Sequence, residues 1–525
     1  MIDKNLVCFF VLCLFTSVFF SFKMLAVFQQ CGYKTDEFFM AIFGGKKREI
    51  IKLSTYSAVL FVFLMLANLF LVEYNTSYCI FVVVISSLTS GVYFVFSKTK
   101  KRVKFTNRCL RIFIFSVLSL CALCCFFVVF AQRLNFKTIR CLPLFLIPLF
   151  IPLFLVVGKF INYPYDAFRY NISKRLCKKR LAKNKNLIKI GITGSCGKTS
   201  VKNYLEKMLK TKYRVLATPL SYNTPLGICK TVKKDVLNYD LFIAELGARR
   251  KNDVKELCKM VEPQIGIITS ILPQHTKTLG GIDGVKNAKF QLIEGLCGEK
   301  TGFFYNDLSY LYDLYKRAKC NKVLVGEGGE VYFQNAEQKS DGIEFELVVG
   351  NATYKTFTPL LGLHNLKNIC IATAVALYLK VEINNILCAI QNLAPPKHRA
   401  EIIKNQRGVT IIDDSYNANI EGIKSTAQAM DVFKGNKIAV TSGIVELGKE
   451  YKDLNFEVGK ILAQSFSTVI VMGVNAQKIK DGVQKEGGTA IFYSDMQKVK
   501  DFLLKELKKG DVVVFFSDLP DVYGI

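Results

Sequence analysis

Apolar residues divide the chain near residue 160. Before that point five long apolar runs follow one another, at about 6–22, 54–72, 78–96, 111–131 and 141–158. Each approaches the roughly 20 residues that a membrane-spanning helix needs. After it, apolar runs are short and alternate with segments whose apolar positions recur every three or four residues. Residues 187–192 form such a short run, fit for a buried strand. Val201, Tyr204, Leu205, Met208 and Leu209 then recur at i, i+3, i+4, i+7 and i+8, the stripe of an amphipathic helix. Strand patterns return at 241–244 and 265–270, and the stretch 322–358 is richer in them (323–325, 331–333, 345–349). Pro395-Pro396 marks a boundary. Beyond it strands at 409–412, 437–440, 468–472 and 512–515 alternate with helical patterns, one over about 418–433. Such alternation predicts parallel sheets covered by helices. The expected fold is an N-terminal multi-span α-helical membrane region at 1–160, a basic juxtamembrane linker at 161–187, and two α/β domains at 188–396 and 397–525.

Charge orients the apolar third. The loop 97–110 carries Lys98, Lys100, Lys101, Arg102, Lys104 and Arg108 with no acid, and 23–53 is also net basic, whereas 73–77 holds a lone Glu73. Basic loops stay in the cytoplasm. This predicts five spans, the N-terminus outside, and everything after residue 158 in the cytoplasm. The loop 132–140, with Arg133, Lys137 and Arg140, falls on the wrong side, so the span number is open by one. The run 141–158 holds Pro143, Pro148 and Pro152 and is expected to kink or to cross only partly. The first run could also be a cleaved signal peptide. No small-x-small site follows it and Lys23 comes directly after, which favours an anchor. No charge sits deep in any run, so the region is read as an anchor more than as a transport pathway.

Composition agrees with this division. The 525 residues are 51% hydrophobic, with 42 Phe and no Trp, and the mean hydropathy is +0.26. A disordered or collagen-like chain is excluded. The net charge of +29 arises from 18 basic against 5 acidic residues in 1–160, 8 against 1 in 161–187, and 45 against 36 thereafter. An excess densest in and just after the apolar third suits anionic membrane lipid as a partner. No nucleic-acid motif is interleaved with it, and nucleic-acid binding is not expected. Nine of the 17 Cys precede residue 160, and Cys121, Cys124 and Cys125 lie within an apolar run as small hydrophobes. The rest show no paired C-x-x-C spacing, which predicts neither a zinc site nor a disulfide framework and suits a reducing compartment.

The chemistry begins where the soluble pattern begins. Between the strand at 187–192 and the helical stripe lies Thr193-Gly194-Ser195-Cys196-Gly197-Lys198-Thr199-Ser200. Strand, glycine loop and helix are the setting of a phosphate-binding loop. The glycines would let backbone N–H groups face a phosphate at a helix N-terminus. Lys198 would reach the terminal phosphates and Thr199 would ligate Mg2+. The strict G-x-x-x-x-G-K-[ST] form fails by one position, because Ile192 stands where the first Gly belongs. A chance glycine turn is the bland alternative. The strand at 241–244 ends at Glu245, and 265–270 leads to His275. Parallel strands bring their ligand-bearing ends to one edge, so Lys198, Thr199, Glu245 and His275 can converge on one Mg-nucleotide. The chain has three His, 275, 364 and 398. Taken singly, each is more simply structural or solvated than a ligand.

More segments follow in order: Ser221-Tyr222-Asn223-Thr224-Pro225; Glu245-Leu246-Gly247-Ala248-Arg249; Pro273-Gln274-His275 with Ala288-Lys289; Gly362-Leu363-His364-Asn365 with Asn368; His398-Arg399-Ala400-Glu401; Asp413-Asp414-Ser415-Tyr416-Asn417-Ala418-Asn419; and Glu446-Leu447-Gly448. With the glycine loop they span about 190–450. Here the chain resembles the Mur ligases, the ATP-dependent amide-forming enzymes of cell-wall precursor synthesis, and most of all their MurF type, which adds D-alanyl-D-alanine to a UDP-muramoyl tripeptide. The resemblance implies a P-loop central domain and a Rossmann-like C-terminal domain. It implies ATP and two Mg2+ ions, with Gly194, Ser195, Gly197, Lys198, Thr199 and Ser200 at the phosphates. Thr199 and Glu245 would hold one metal, and Glu245 with His275 a second. Lys289 would be carbamylated, with a plain helix lysine as the alternative. His364, Asn365 and Asn368 would lie by the adenine, Asp413 or Asp414 by the ribose, and Arg399 on the phosphates. Asn223 and Thr224 are candidates for the acid, Tyr416 and Asn417 for the amine. The partners implied are a cell-wall precursor and a dipeptide or amino acid; protein partners stay unknown.

The chain also departs from the family pattern. The N-terminal UDP-binding domain gives way to the apolar third and the linker. Ile420 stands where a Pro follows the Asn-Ala-Asn segment, Thr441-Ser442-Gly443 where MurF has Leu-Gly-Asp, and Phe516-Ser517-Asp518-Leu519-Pro520-Asp521 where it has a Lys-Gly-Ser-Arg-like stretch. Three readings stay open: a MurF-like ligase, an amide ligase of the same chemistry on a different lipid-linked or polymer-forming acid, and a non-catalytic ATP-binding membrane scaffold.

Overall fold

The structure is a computed structural model that describes residues 21, 24–43, 104–131, 151–233, 236–273, 276–306, 310–404, 408–416, 419–444, 451–473 and 475–516. The chain forms two compact units, one within Met1–Arg169 and one within Tyr170–Leu519.

In the first unit the helices Thr35–Phe43 and Asn107–Ala131 and the start of the helix Ile151–Lys183 meet around Phe28, Phe38, Cys109, Ile112 and Leu155. Asp166 accepts Arg108 at 2.9 Å and Arg111 at 2.8 Å. Among the described residues no helix is long and apolar enough to cross a membrane. This corrects the expected multi-span membrane region and the multi-pass membrane localisation, and nothing in it supports the expected membrane lipid partner. Within the run at 141–158, residues 151–158 belong to a longer helix. From Ile151 the helix continues to Lys183 and carries Lys159, Asp166, Arg169 and the basic segment beyond them. The run at 111–131 belongs to a helix whose first residues include Arg108 and Arg111, both ion-paired. Those at 6–22, 54–72 and 78–96 lie outside the described residues, Ser21 excepted. A count of apolar residues does not by itself say what a run packs against.

The second unit is built on two sheets. In the first, β1 (Ile188–Thr193), β2 (Val215–Ala217), β3 (Leu241–Glu245), β4 (Ile265–Ile268), β5 (Thr301–Asn306) and β6 (Asn321–Gly326) run parallel in the order β2-β3-β1-β4-β5-β6. Every residue of β3 is buried. Strands covered on both faces read as continuous apolar runs rather than alternating ones, which is why they stand out in the sequence. Register then sets the site: Ile192 lies opposite both Glu245 and Ile267, so the ends of β1, β3 and β4 share one edge. An antiparallel side sheet, β7 (Val331–Gln338), β8 (Ile343–Val349) and β9 (Ala352–Thr358), follows.

The second main sheet holds β10 (Glu401–Lys404), β11 (Thr410–Asp413), β12 (Lys437–Thr441), β13 (Thr468–Val471), β14 (Thr489–Phe492) and β15 (Val512–Phe516), in the order β10-β11-β15-β12-β13-β14. It is parallel except for β10, which pairs antiparallel with β11. Ile412, Val458, Leu462, Val469 and Val514 form part of its core. The two α/β sheets agree with the sequence pattern. The strands β2, β5, β10 and β14 are not among the apolar runs read there.

Candidate active site

The loop after β1 closes on the end of β4. Ser195 N–H donates to the Ser270 carbonyl at 2.9 Å, and Cys196 N–H to Ser270 Oγ at 2.8 Å. Ser195 Oγ and Leu272 exchange two further bonds. At Gly194 any Cβ would lie 1.9 Å from Thr269 Oγ1, and at Gly197, with φ 78°, 2.5 Å from Asn368 Oδ1. Only glycine fits either position. The helix Lys198–Leu209 starts directly after Gly197, with Thr199 and Ser200 buried in its first turn. Lys198 Nζ folds back onto the carbonyls of Gly194 (2.7 Å) and Ser195 (3.1 Å). Burial lowers its pKa from the ordinary lysine value. A phosphate would replace those two carbonyls with a better partner for a buried ammonium.

Glu245, at the end of β3, is the hub. It is 1% exposed, and both of its oxygens are engaged. Thr199 Oγ1 donates to Oε2 at 2.9 Å, and Asn223 Nδ2 donates to Oε1 at 3.1 Å. Lys202 Nζ stands 3.6 Å from Oε2. Thr224 Oγ1 accepts from Gly227 N–H at 3.3 Å and caps the helix Pro225–Thr231. A hydroxyl beside a carboxylate at a phosphate loop is an all-oxygen donor pair, which fits Mg2+ that keeps water or phosphate oxygens in its other positions. Among the described residues no group of three His, Cys, Asp or Glu could hold a metal by itself. His275 and Asn417 lie outside the described residues, as do Gln274 and Glu446-Leu447-Gly448.

Lys289, on the helix Gly281–Glu294, is 3% exposed. Burial, with the Lys198 charge added, lowers its pKa to about 7. Asn365 turns inward, accepting from Tyr204 Oη and donating to the Leu361 carbonyl, each at 2.9 Å. It ties the helix His364–Tyr378 to the helix of the phosphate loop. Asn368 abuts Gly197. His364 Nδ1 meets Ser425 Oγ at 2.8 Å, and burial, then Arg399 and Lys367, push its pKa down to about 4.

The second sheet contributes a looser set. His398 and Ala400 have left-handed backbones, φ 64° and 47°, and between them Arg399 lies over the Tyr416 ring, 5.0 Å from its centroid. His398 Nδ1 pairs with Asp413 Oδ2 at 2.7 Å. Asp414 accepts from Ala400 N–H and from Thr426 Oγ1 at 3.2 and 3.0 Å, and burial raises its pKa. Tyr416 Oη donates to Ser221 Oγ at 2.6 Å, linking this set to the loop before Asn223. Arg399 also bears electrostatically on Lys198 and His364. The structure therefore brings Lys198, Thr199, Glu245 and Asn223 together, with Arg399 near them. Lys202, Ser221, Thr269 and Ser425 escaped the sequence reading. For Lys202 the available signal was its place on the same helix, three and four residues past Thr199 and Lys198.

Residues 192–376 match the Mur ligase middle domain, and residues 398–519 match the Mur ligase, glutamate ligase domain. The chain belongs to the Mur ligase family. As a Mur ligase it is an ATP-dependent ligase. It is similar to the UDP-N-acetylmuramoyl-tripeptide–D-alanyl-D-alanine ligase of Bacillus subtilis, 27% identical over 333 residues, which are 62% of this chain and 72% of that protein. The enzyme of the same description from Treponema pallidum is 26% identical over 358 residues, 67% of this chain and 75% of that one. Among solved structures, MurF from Acinetobacter baumannii superposes with a TM-score of 0.63 at 24% identity, covering 67% of this chain and 78% of that one. MurF from Thermotoga maritima in complex with ADP gives 0.61 at 24%, covering 66% and 80%. These two establish the likeness of fold.

Proposed function

We propose that this Mur ligase joins an acid to an amine through an acyl phosphate, and that its substrates are those of the MurF type: a UDP-muramoyl tripeptide and D-alanyl-D-alanine. The observation that carries the reading is the continuous line Thr199–Glu245–Asn223, which joins the phosphate loop to the loop assigned to the acid. The sequence similarity to the named tripeptide ligases supports the choice of substrates.

In this reading residues 188–396 bind ATP and residues 397–525 close over it. Gly194, Ser195, Gly197 and Ser200 line the phosphates, and Lys198 leaves its two loop carbonyls for them. A carboxylate is a poor electrophile, so its oxygen first takes the γ-phosphoryl group and ADP departs. The amine then attacks the acyl carbon, and phosphate leaves with the former carboxylate oxygen. All reactants are anionic, so the work of the residues is screening and alignment. Thr199 and Glu245 would hold one Mg2+, and Glu245 with His275 another; the metal supplies charge neutralisation at the transferring group. A lysine whose pKa is about 7 is about half neutral amine near neutrality, and the neutral amine is the form that takes up CO2, so Lys289 fits a carbamate. His364 and Asn368 face the adenine side, with Asn365 fixing their helix. Asp413 or Asp414 meets the ribose, and Arg399 the phosphates. Asn223 and Thr224 hold the acid, Tyr416 and Asn417 the amine.

The test is phosphate release from ATP with UDP-muramoyl tripeptide and D-alanyl-D-alanine, each omitted in turn. Release that needs both is the expected result. Release only with another acid would move the substrate assignment to that acid. No release with any acid–amine pair, while ATP still binds, would leave a nucleotide-binding scaffold.

A further inference from the structure

One buried cation has no part in the chemistry above. Lys202 lies on the helix Lys198–Leu209 and is 1% exposed. An ammonium so placed is costly unless paired. Its Nζ donates to the Leu220 carbonyl and stands 3.6 Å from Glu245 Oε2. Leu220 has a left-handed backbone, φ 48°, although its side chain is 70% exposed. A leucine rarely holds that conformation without an outside constraint, and the constrained group is the carbonyl that Lys202 grips. Downstream, Asn223 is fixed twice: Nδ2 donates to Glu245 Oε1 at 3.1 Å, and its carbonyl accepts Gly247 N–H at 2.9 Å. Upstream, Thr218 Oγ1 accepts Glu245 N–H at 3.2 Å. Residues 218–224 are thus held at both ends by the β3 terminus and in the middle by Lys202.

We propose that Lys202 is a positioning residue for the acid substrate. It sets residues 218–224, through the Leu220 carbonyl, against the same carboxylate that meets Thr199 at the phosphate loop. The acid carboxylate is thereby presented in line with the phosphoryl group. This rests on the ligase reading and adds a residue to the acid side of it.

The experiment is steady-state kinetics on the full chain carrying Lys202→Met, Lys202→Gln or Leu220→Pro, with ADP binding measured by calorimetry. Lys202→Met should lower kcat/KM for the acid on the order of a hundredfold, as a misplacement near 1 Å does. KM for ATP and the affinity for ADP should stay within about twofold, which a general loss of structure would not produce. Lys202→Gln, able to donate one bond to Leu220, should fall between. Leu220→Pro, whose ring fixes φ near −65°, should match Lys202→Met with the charge still in place. It is an exposed position, so it decides the matter if the Lys202 variants do not fold. An unchanged kcat/KM for the acid, or a loss accompanied by an equal loss in KM for ATP and in ADP affinity, overturns the proposal. Wild-type chain that releases no phosphate with any acid overturns the ligase reading itself; active wild type with an unaffected Leu220→Pro removes only the positioning role.

Discussion

At the C-terminal edge of the first sheet Glu245 is almost wholly buried and both its oxygens are taken by groups from two other segments. At the matching edge of the second, His398 pairs with Asp413 while its own side chain is 55% exposed. The first set is made by neighbouring strands: register between β1, β3 and β4 delivers the loop, Glu245 and Thr269 to one place. The second hangs on two left-handed residues either side of Arg399 and on one hydroxyl bond from Tyr416 to Ser221. The phosphate end of the site is therefore preformed, and the end supplied by residues 398–416 is assembled by contact. Under the proposed function, such a division suits an enzyme that holds ATP on the first set and completes its site from the second.

That contrast can be broken most strongly at the preformed end. Lys198→Ala should cut phosphate release on the order of a thousandfold, through lost stabilisation of the transferring phosphoryl group, with the thermal midpoint little changed. Activity near wild type would remove Lys198 from the site. Gly194→Ala places a methyl group 1.9 Å from Thr269 Oγ1. It should destabilise the fold by about 1–3 kcal/mol, the scale of local strain and overpacking, and weaken ADP binding at least tenfold by the same displacement. Urea titration and calorimetry measure the two effects.

Lys289 sharpens the comparison through pH. Its pKa is about 7 in the folded chain against 10.5 for an ordinary lysine. Between those values the unfolded chain holds a proton that the folded chain lacks, so stability should rise with pH across that window. Below about pH 7 both states are protonated, and the cost of burying the charge is felt in full. Without added bicarbonate, urea midpoints of wild type should climb between pH 7 and 10, and those of Lys289→Met should not share that climb. Equal slopes would mean the lysine is solvated.

The smallest effect is expected at the assembled end. Tyr416→Phe and Ser221→Ala each remove the one bond of 2.6 Å, for about 1 kcal/mol or less. Each should alter kcat by only a few-fold, and the double variant should be no worse than either single one. Additive losses would show that the two side chains act separately.

Much of the preformed end was legible in the sequence. Glu245 and the glycine loop each sit where a short apolar run stops, and the ends of such runs mark strand ends. Asp413 follows the same rule at β11. The burial of Lys202 was not legible: its spacing puts it on the same side of the helix as Thr199 and Lys198, but a lysine on an amphipathic helix is normally solvated. Nor was the inward turn of Asn365, whose partner Tyr204 is 161 positions away. The apolar third misled for a related reason: composition reports that a segment avoids water and not what replaces the water.

The chain alone determined the alternation of strands and helices behind the two α/β sheets and the residue types at the glycine loop, because periodicity and glycine placement are local properties. Tertiary structure decided which distant side chains share an atom: Thr199, Asn223 and Lys202 around one carboxylate, and Tyr416 on Ser221 across 195 positions. Those meetings depend on sheet register and domain packing, which are set by contacts far apart in the chain and leave no periodic trace along it.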